Sequence, residues 1–296
     1  SETFCSDAYR FREQAKREPR LIGDFVWAGM DYLGEVMVGS WEYSDYAPRF
    51  DGGLGWVSAG SGRIDLTGKP LGEALYTRVA LEQAEGPFLA VRPVNHTGDK
   101  HSPSAWKMTN AMESWTWPGC EGRPAEVEVY ARAACAALVL NGKEVARKTA
   151  KNDCRFRFRC TYQPGTLEAV VYNAAGQETG RCALTTAGSE TELRAEPEEA
   201  AVHPGQLCYI RLRYTDAGGV LKPTVNEPIR VQVAGGRLLA LGNACPFNLR
   251  GYHTTETDPY WGEALAIVEA GSEGCVTLQA DSAAGTATAA VQVHKE

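Results

Sequence analysis

Three carboxylates and an indole crowd one short run of this 296-residue chain, Ile22-Gly23-Asp24-Phe25-Val26-Trp27-Ala28-Gly29-Met30-Asp31-Tyr32-Leu33-Gly34-Glu35. Asp24, Asp31 and Glu35 can accept hydrogen bonds from ligand hydroxyls. The flat face of Trp27 can cover an apolar C–H surface and leave the edges of a ligand to polar partners. Trp41, Tyr43, Tyr46 and Trp56 follow in a stretch rich in Gly, Ser and Asp, where they can shape the same site. Each residue also has a plainer reading. Trp27 can pack inside a core strand, the acids can cap helices or close turns, and the loop aromatics can be buried against a neighbouring domain.

The other residues able to do chemistry show no such clustering. His96, His101, His203, His253 and His294 lack ligand spacing, and nine Cys stand at irregular intervals with no CxxC pair, which argues against a zinc site or a disulfide framework. No spacing demands a metal ion, and no cofactor is implied. Asn226-Glu227 precedes Pro228 and reads as a turn. Glu2, judged on its surroundings alone, reads as a solvated terminal acid.

The element that must position the run is a strand opening into a loop. Phe25, Val26 and Trp27 followed by Gly29, Asp31 and Gly34 read as a buried parallel strand with a polar exit. In a βα barrel, that exit is where catalytic and binding residues gather. Residues 7–17 carry a helical pattern in which Asp7 can cap, Tyr9, Phe11 and Ala15 share a side, and Pro19 follows the end. Residues 63–68 read as a short strand and turn, and 71–81 as a helix. Helix, strand, long loop and helix make one and a half βα units, too few to cover a parallel sheet.

From residue 86 the pattern changes to period-two alternation, as in Glu126-Val127-Glu128-Val129-Tyr130 and in Arg155-Phe156-Arg157-Phe158-Arg159-Cys160. Asn141-Gly142 between two apolar runs signals a hairpin, because both residues tolerate positive φ. The same texture returns after residue 188, with turns at 216–219, 235–236, 271–274 and 283–285. Short strands at that spacing predict antiparallel sandwiches of immunoglobulin-like size.

Composition narrows the classes further. Apolar residues are 44% and charged residues 23%, ordinary for a globular chain with real cores. A net charge of -7 without a Lys/Arg-rich motif gives no electrostatic footprint for nucleic acid, and no apolar run reaches membrane-spanning length. Unpaired thiols point to a reducing compartment, the cytoplasm. The opening Ser1-Glu2-Thr3-Phe4, without Met, reads as a cut end, so a signal peptide is not assessable.

Ser1-Glu2-Thr3-Phe4, the helix after it and the run 22–35 together resemble the last part of the catalytic barrel of glycoside hydrolase family 2, which includes β-galactosidases, β-glucuronidases and β-mannosidases. Gly62-Arg63-Ile64-Asp65-Leu66-Thr67-Gly68 is similar to the segment leading into the last barrel helix. Ser114-Trp115-Thr116-Trp117-Pro118-Gly119 and Leu138-Val139-Leu140-Asn141-Gly142-Lys143 resemble the first sandwich after the barrel, and Tyr260-Trp261-Gly262-Glu263-Ala264-Leu265-Ala266-Ile267 the final one. The chain departs from the family at Ala28, where Thr or another polar residue is usual, at Met30, where an aromatic is usual, and at Arg63, where an acid is usual.

The resemblance implies a mainly β chain: two immunoglobulin-like antiparallel β-sandwiches, 86–187 and 188–296, preceded by the C-terminal remnant of a TIM (β/α)8 barrel over 1–85. It implies the C-terminal part of a retaining glycosidase, most like a β-galactosidase. Glu2 would be the nucleophile, Trp27 the sugar platform, Asp31 and Glu35 further substrate-binding residues, and Trp41 part of a leaving-group subsite. The acid/base Glu of the family lies earlier in the barrel, so the isolated chain is expected to be inactive. Its expected partner is a β-galactoside-like carbohydrate, with neither nucleic acid nor membrane. The lone strand at Phe25 would expose its edges and be partly disordered, re-paired, docked on the sandwich, or buried against another copy or an N-terminal portion. The alternative is a non-catalytic sandwich module that binds carbohydrate or a partner.

Overall fold

The computed structural model describes residues 2–272 and 274–294, with Glu2 described by its backbone only. It divides into two compact units, Ser1–Thr186 and Ala187–Glu296.

In the first unit, β1 (Glu2–Thr3) leads through a 3-10 turn into α1 (Ala8–Ala15), followed by β2 (Phe25–Val26) and, after a long irregular stretch, α2 (Gly72–Ala80). β1 and β2 form a parallel pair with Glu2 opposite Phe25 and Thr3 opposite Val26. The strand expected over 22–27 is thus two residues long, and it is not a core strand. Phe25 is 76% exposed and Ile22 is fully exposed, because among the described residues only β1 flanks it. Of the short strand and turn expected at 63–68, the strand is reduced to isolated bridges of Ile64 with Met30 and Pro70, and the turn is present, closed by the Asp65 carboxylate, which accepts from the Thr67 and Lys69 N–H groups at 2.8 and 3.0 Å. Asp7 stands at the start of α1 but makes no capping hydrogen bond; its carboxylate pairs with Arg10 at 3.1 Å.

Seven strands follow: β3 (Phe88–Val91), β4 (Pro124–Tyr130), β5 (Cys135–Leu140), β6 (Lys143–Thr149), β7 (Arg155–Thr161), β8 (Thr166–Tyr172) and β9 (Glu178–Thr185). They form a sandwich of two antiparallel sheets, β3-β4-β7 and β6-β5-β8-β9. Alternation decides the faces. Val127, Val129, Phe156 and Phe158 are buried from one sheet, and Leu138, Leu167 and Ala169 from the other. Asn141 and Gly142 both have positive φ (51° and 79°), which matches the hairpin turn to the twist of β5 and β6.

The outer face of the three-stranded sheet is covered as well. Tyr130 lies edge-on to Tyr76 of α2 (5.9 Å between rings), in a cluster with Cys5, Leu75, Val79, Ala90 and Ala111. Beside it, the buried Glu128 carboxylate accepts from the Thr109 and Tyr130 hydroxyls, both at 2.9 Å. Residues 1–85 and the sandwich therefore share a core.

The second unit repeats the architecture with β10 (Glu192–Pro197), β11 (Ala201–Val202), β12 (Leu207–Thr215), β13 (Ile229–Ala234), β14 (Gly236–Gly242), β15 (Glu256–Thr257), β16 (Glu263–Ala270), β17 (Gly274–Ser282) and β18 (Gly285–Val293). The sheets are β10-β12-β16-β14 and β11-β18-β17-β13-β15, closed around Ile210, Leu212, Tyr214, Val268, Val276 and Leu278. All nine cysteines carry free thiols, and burial pushes those of Cys5 and Cys154 up to about 12. Among the described residues no helix is long and apolar enough to cross a membrane.

Candidate functional site

The site is built at the ends of β1 and β2. The Thr3 hydroxyl donates to the Asp24 carboxylate, tying the two strands together just before Trp27 leaves β2. Residues 28–31 then pair with 61–64. Arg63 N–H donates to the Ala28 carbonyl at 3.0 Å, Ile64 N–H to Gly29 at 2.9 Å, and Asp31 N–H to Ile64 at 2.8 Å. Contact at Gly62 is so close that a Cβ there would stand 2.2 Å from the Asp31 nitrogen, so this crossing requires glycine. The next segment lies against 57–59, with Gly34 N–H on the Val57 carbonyl at 3.0 Å and Gly39 N–H on Ala59 at 2.9 Å.

A third loop joins from beyond β3. The Ser102 hydroxyl donates to the Ser40 carbonyl at 3.0 Å and accepts from the Glu42 N–H at 2.9 Å, while Ser104 donates to the Gly39 carbonyl at 3.1 Å. These bonds bring residues 103–106 opposite 35–38. Between them lies an open groove of about 1030 Å³, lined by Trp27, Glu35, Val36, Met37, Val38, Pro103, Ser104, Ala105 and Trp106. Tyr32 meets Trp27 edge-on (5.8 Å, 85°) and donates its hydroxyl to Glu35. Burial and then the Glu35 carboxylate raise the Tyr32 pKa, so the phenol stays a donor.

The residues nominated from sequence fall into separate places. Trp27 and Glu35 share the groove. Asp31, 8% exposed, stands behind it, its Oδ1 accepting the Ser61 and Gly62 N–H groups at 3.1 and 3.3 Å. Trp41 does not line the groove. Its ring stacks on His101 (4.2 Å, 19°), and the Arg92 guanidinium lies 5.1 Å from the ring centre. Tyr43 and Trp56 are buried. Glu2 has its backbone in β1, and its side chain lies outside the described residues.

Trp106 was missed from sequence. It stands in the irregular connection between β3 and β4, and nothing near it in the chain repeats or alternates. Its ring packs on Phe4, just past β1 (4.8 Å, 31°). Arg63 is 4% exposed and lies beside the Cys5 thiol. Burial raises the pKa of nearby Glu73, whose Oε1 accepts N–H groups from Met108 and Thr109. Among the described residues no group of three or more His, Cys, Asp or Glu could hold a metal ion.

His96 forms a clamp of its own, outside the residues that line the groove. Its ring stacks on Tyr43 (3.9 Å, 5°), with Asp99 3.0 Å from Nδ1 and Asp45 3.1 Å from Nε2. Donating at both nitrogens requires the charged imidazolium. Burial opposes that charge, but the Asp45 and Asp99 carboxylates outweigh it, and the pKa is raised.

The second unit carries a groove of its own, about 650 Å³, where His203, Gln206, Tyr209 and His294 are among the lining residues.

Residues 192–292 match "Glycoside hydrolase family 2 C-terminal domain 5", and residues 122–180 match a domain of unknown function, DUF4982. The chain is 24% identical over 271 residues to the beta-galactosidase BoGH2A of Bacteroides ovatus, covering 88% of this chain and 27% of that protein. It is 27% identical over 191 residues to a putative beta-glucuronidase of Formosa agariphila, covering 63% of this chain and 15% of the relative. In three dimensions it is similar to a glycosyl hydrolase family 2 member from Bacteroides cellulosilyticus, with a TM-score of 0.87 at 25% identity, across 100% of this chain and 39% of the other. The chain thus spans about a quarter or less of the length of the curated relatives it matches.

Proposed function

Since this chain belongs to glycoside hydrolase family 2 as a C-terminal portion, we propose that it supplies the nucleophile side of a retaining glycosidase acting on terminal β-glycosides, with β-galactosides preferred. The observation carrying this reading is the parallel pair of β1 and β2, which sets Glu2 opposite Phe25 and so beside the strand end that delivers Trp27 to an open groove.

Retention needs two carboxyls about 5 Å apart. In this proposal the Glu2 carboxylate attacks the anomeric carbon while a second carboxylic acid protonates the departing oxygen, and water then hydrolyses the glycosyl ester. Trp27 covers the apolar face of the sugar, and Glu35 accepts from its hydroxyls. The acid/base group comes from barrel residues outside this chain. Phe4, Ile22, Phe25, Met30 and Leu33 support that view, since they expose apolar surface on the segments that would join those residues. The 296 residues alone should therefore not turn over substrate. The nine free thiols support work in a reducing compartment.

The test is covalent trapping in the longer protein with a 2-deoxy-2-fluoro-β-galactosyl donor, followed by peptide mass analysis. A label on the peptide holding Glu2, lost in Glu2→Gln, is the expected result; a label on any other carboxylate overturns it. A rate on an aryl β-galactoside from the isolated chain would remove the claim of incompetence. A panel of β-galactosides and β-glucuronides decides the sugar. The groove on the second unit favours a second reading, a sandwich that holds glycans without chemistry. It predicts saturable binding by residues 187–296 alone.

A further inference from the structure

We infer that Trp106 is the platform for the leaving-group sugar, so that the groove reads two consecutive pyranose rings, one on each indole. The inference rests on the glycosidase reading above and extends it to the far side of the scissile bond.

Four observations carry it. Trp106 and Trp27 line the same groove and are its two indoles. They enter it from neighbouring strand ends: Trp27 directly follows β2, while Trp106 packs on Phe4, which directly follows β1. Paired strands lie roughly 5 Å apart, so the two indoles reach the groove from adjacent strands, Trp27 by way of β2 and Trp106 by way of β1, the strand that carries Glu2. Second, Trp106 is only half-buried, and its contact with Phe4 leaves indole surface on the groove. Third, its loop is fixed before any ligand arrives. Ser104 donates to the Gly39 carbonyl at 3.1 Å and accepts from Lys107 N–H at 3.2 Å, and the N–H groups of Met108 and Thr109 end on Glu73. A platform ordered in advance loses little entropy when a ring settles on it.

Finally, the lining has the character a sugar needs. Val36, Met37, Val38, Pro103 and Ala105 make it mostly apolar, with Glu35 and Ser104 as its polar members. A pyranose matches that mixture, with C–H groups for the indole and hydroxyls for the carboxylate. Trp41, the residue sequence nominated for this subsite, has its ring taken by His101 and Arg92.

Saturation-transfer NMR on the 296-residue chain tests this with methyl β-galactoside, β-galactosyl-1,4-glucose and phenyl β-galactoside. The expected result is saturation of the glucose ring of the disaccharide that falls roughly threefold to tenfold in Trp106→Ala, the range set by one aromatic contact. Trp106→Phe should keep most of it, Trp41→Ala should not change it, and methyl β-galactoside should respond to Trp27→Ala but not to Trp106→Ala. Near-ultraviolet circular dichroism checks that each variant is folded. Equal loss for the monosaccharide and disaccharide in Trp106→Ala overturns the assignment, as does no loss for either, or no disaccharide binding by the parent chain. A Trp106 effect confined to the phenyl ring overturns the sugar and leaves an aromatic aglycone as the occupant. None of these results depends on where the covalent label falls in the longer protein, so the two proposals fail separately.

Discussion

The sandwich of the first unit and the 85 residues before it both contain apolar side chains in quantity, yet they use them in opposite ways. In the sandwich, Leu138, Phe158 and Leu167 face their counterparts across two sheets and lose nearly all contact with solvent. In the preceding residues, Ile22, Phe25 and Leu54 stand 103%, 76% and 82% exposed. α1 and α2 close one side of this region against β4, while β1 and β2 leave the other open. The difference teaches that burial of the helices and order at the strand ends have separate causes. Packing on the sandwich holds the helices, whereas backbone pairing holds the groove.

That contrast can be broken at several points. Leu138→Ala should have the largest effect, about 2–5 kcal/mol lost in chemical denaturation, because the sandwich core cannot collapse around the cavity. Asp31→Ala should cost about 1–3 kcal/mol by stranding the buried Ser61 and Gly62 N–H groups, and it should disturb the groove more than the sheets. Amide hydrogen exchange localised to 28–40 and 57–64 would show this; uniform loosening would refute it.

The His96 clamp has a smaller effect with a definite sign. The folded pKa lies above the ordinary value near 6.5, so its stabilisation is fully present below that pH and disappears as pH rises through the raised folded value. Partial exposure of Asp45 and Asp99 limits it to under about 1 kcal/mol. Thermal melts of the parent chain from pH 6 to 9 should slope downward, and His96→Gln should flatten the slope. Ile22→Ser should change stability least, within about 0.5 kcal/mol in chemical denaturation, because the side chain is fully exposed. A large loss there would mean that Ile22 is covered in solution.

Elements whose stability is local were legible in the sequence. The helix expected over 71–81 is α2, and the turn at Asn141-Gly142 joins β5 to β6. The alternating Phe and Arg residues of β7 declared which face is inside. Elements that depend on distant partners were harder to read. Phe25 and Val26 are apolar enough for a core strand, but nothing in their own order says whether neighbours are present to cover them. Asp31 looked available to a ligand because the two N–H groups that occupy its Oδ1 lie 30 and 31 positions away. Trp106 is an isolated indole in an irregular segment, and it is contacts with distant residues that bring it to the groove: the seryl bonds at 102 and 104, the packing on Phe4 and the bonds to Glu73.

The crossing at Gly62 has company: a Cβ on Gly39 would stand 2.6 Å from Ser61, and one on Gly60 would stand 2.7 Å from Ser40. Part of the scaffold behind the groove is therefore glycine pressed against the main chain and Cβ of Ser40 and Ser61 and the main chain of Asp31. Mutational drift at these positions is closed off, since any added carbon displaces main chain. The two rims, 35–38 and 103–106, carry ordinary side chains that can vary without moving that scaffold. A lineage changing its preferred glycoside would be expected to rewrite the rims while keeping the glycines, so sequence variety among relatives should concentrate on the walls of the groove rather than behind it.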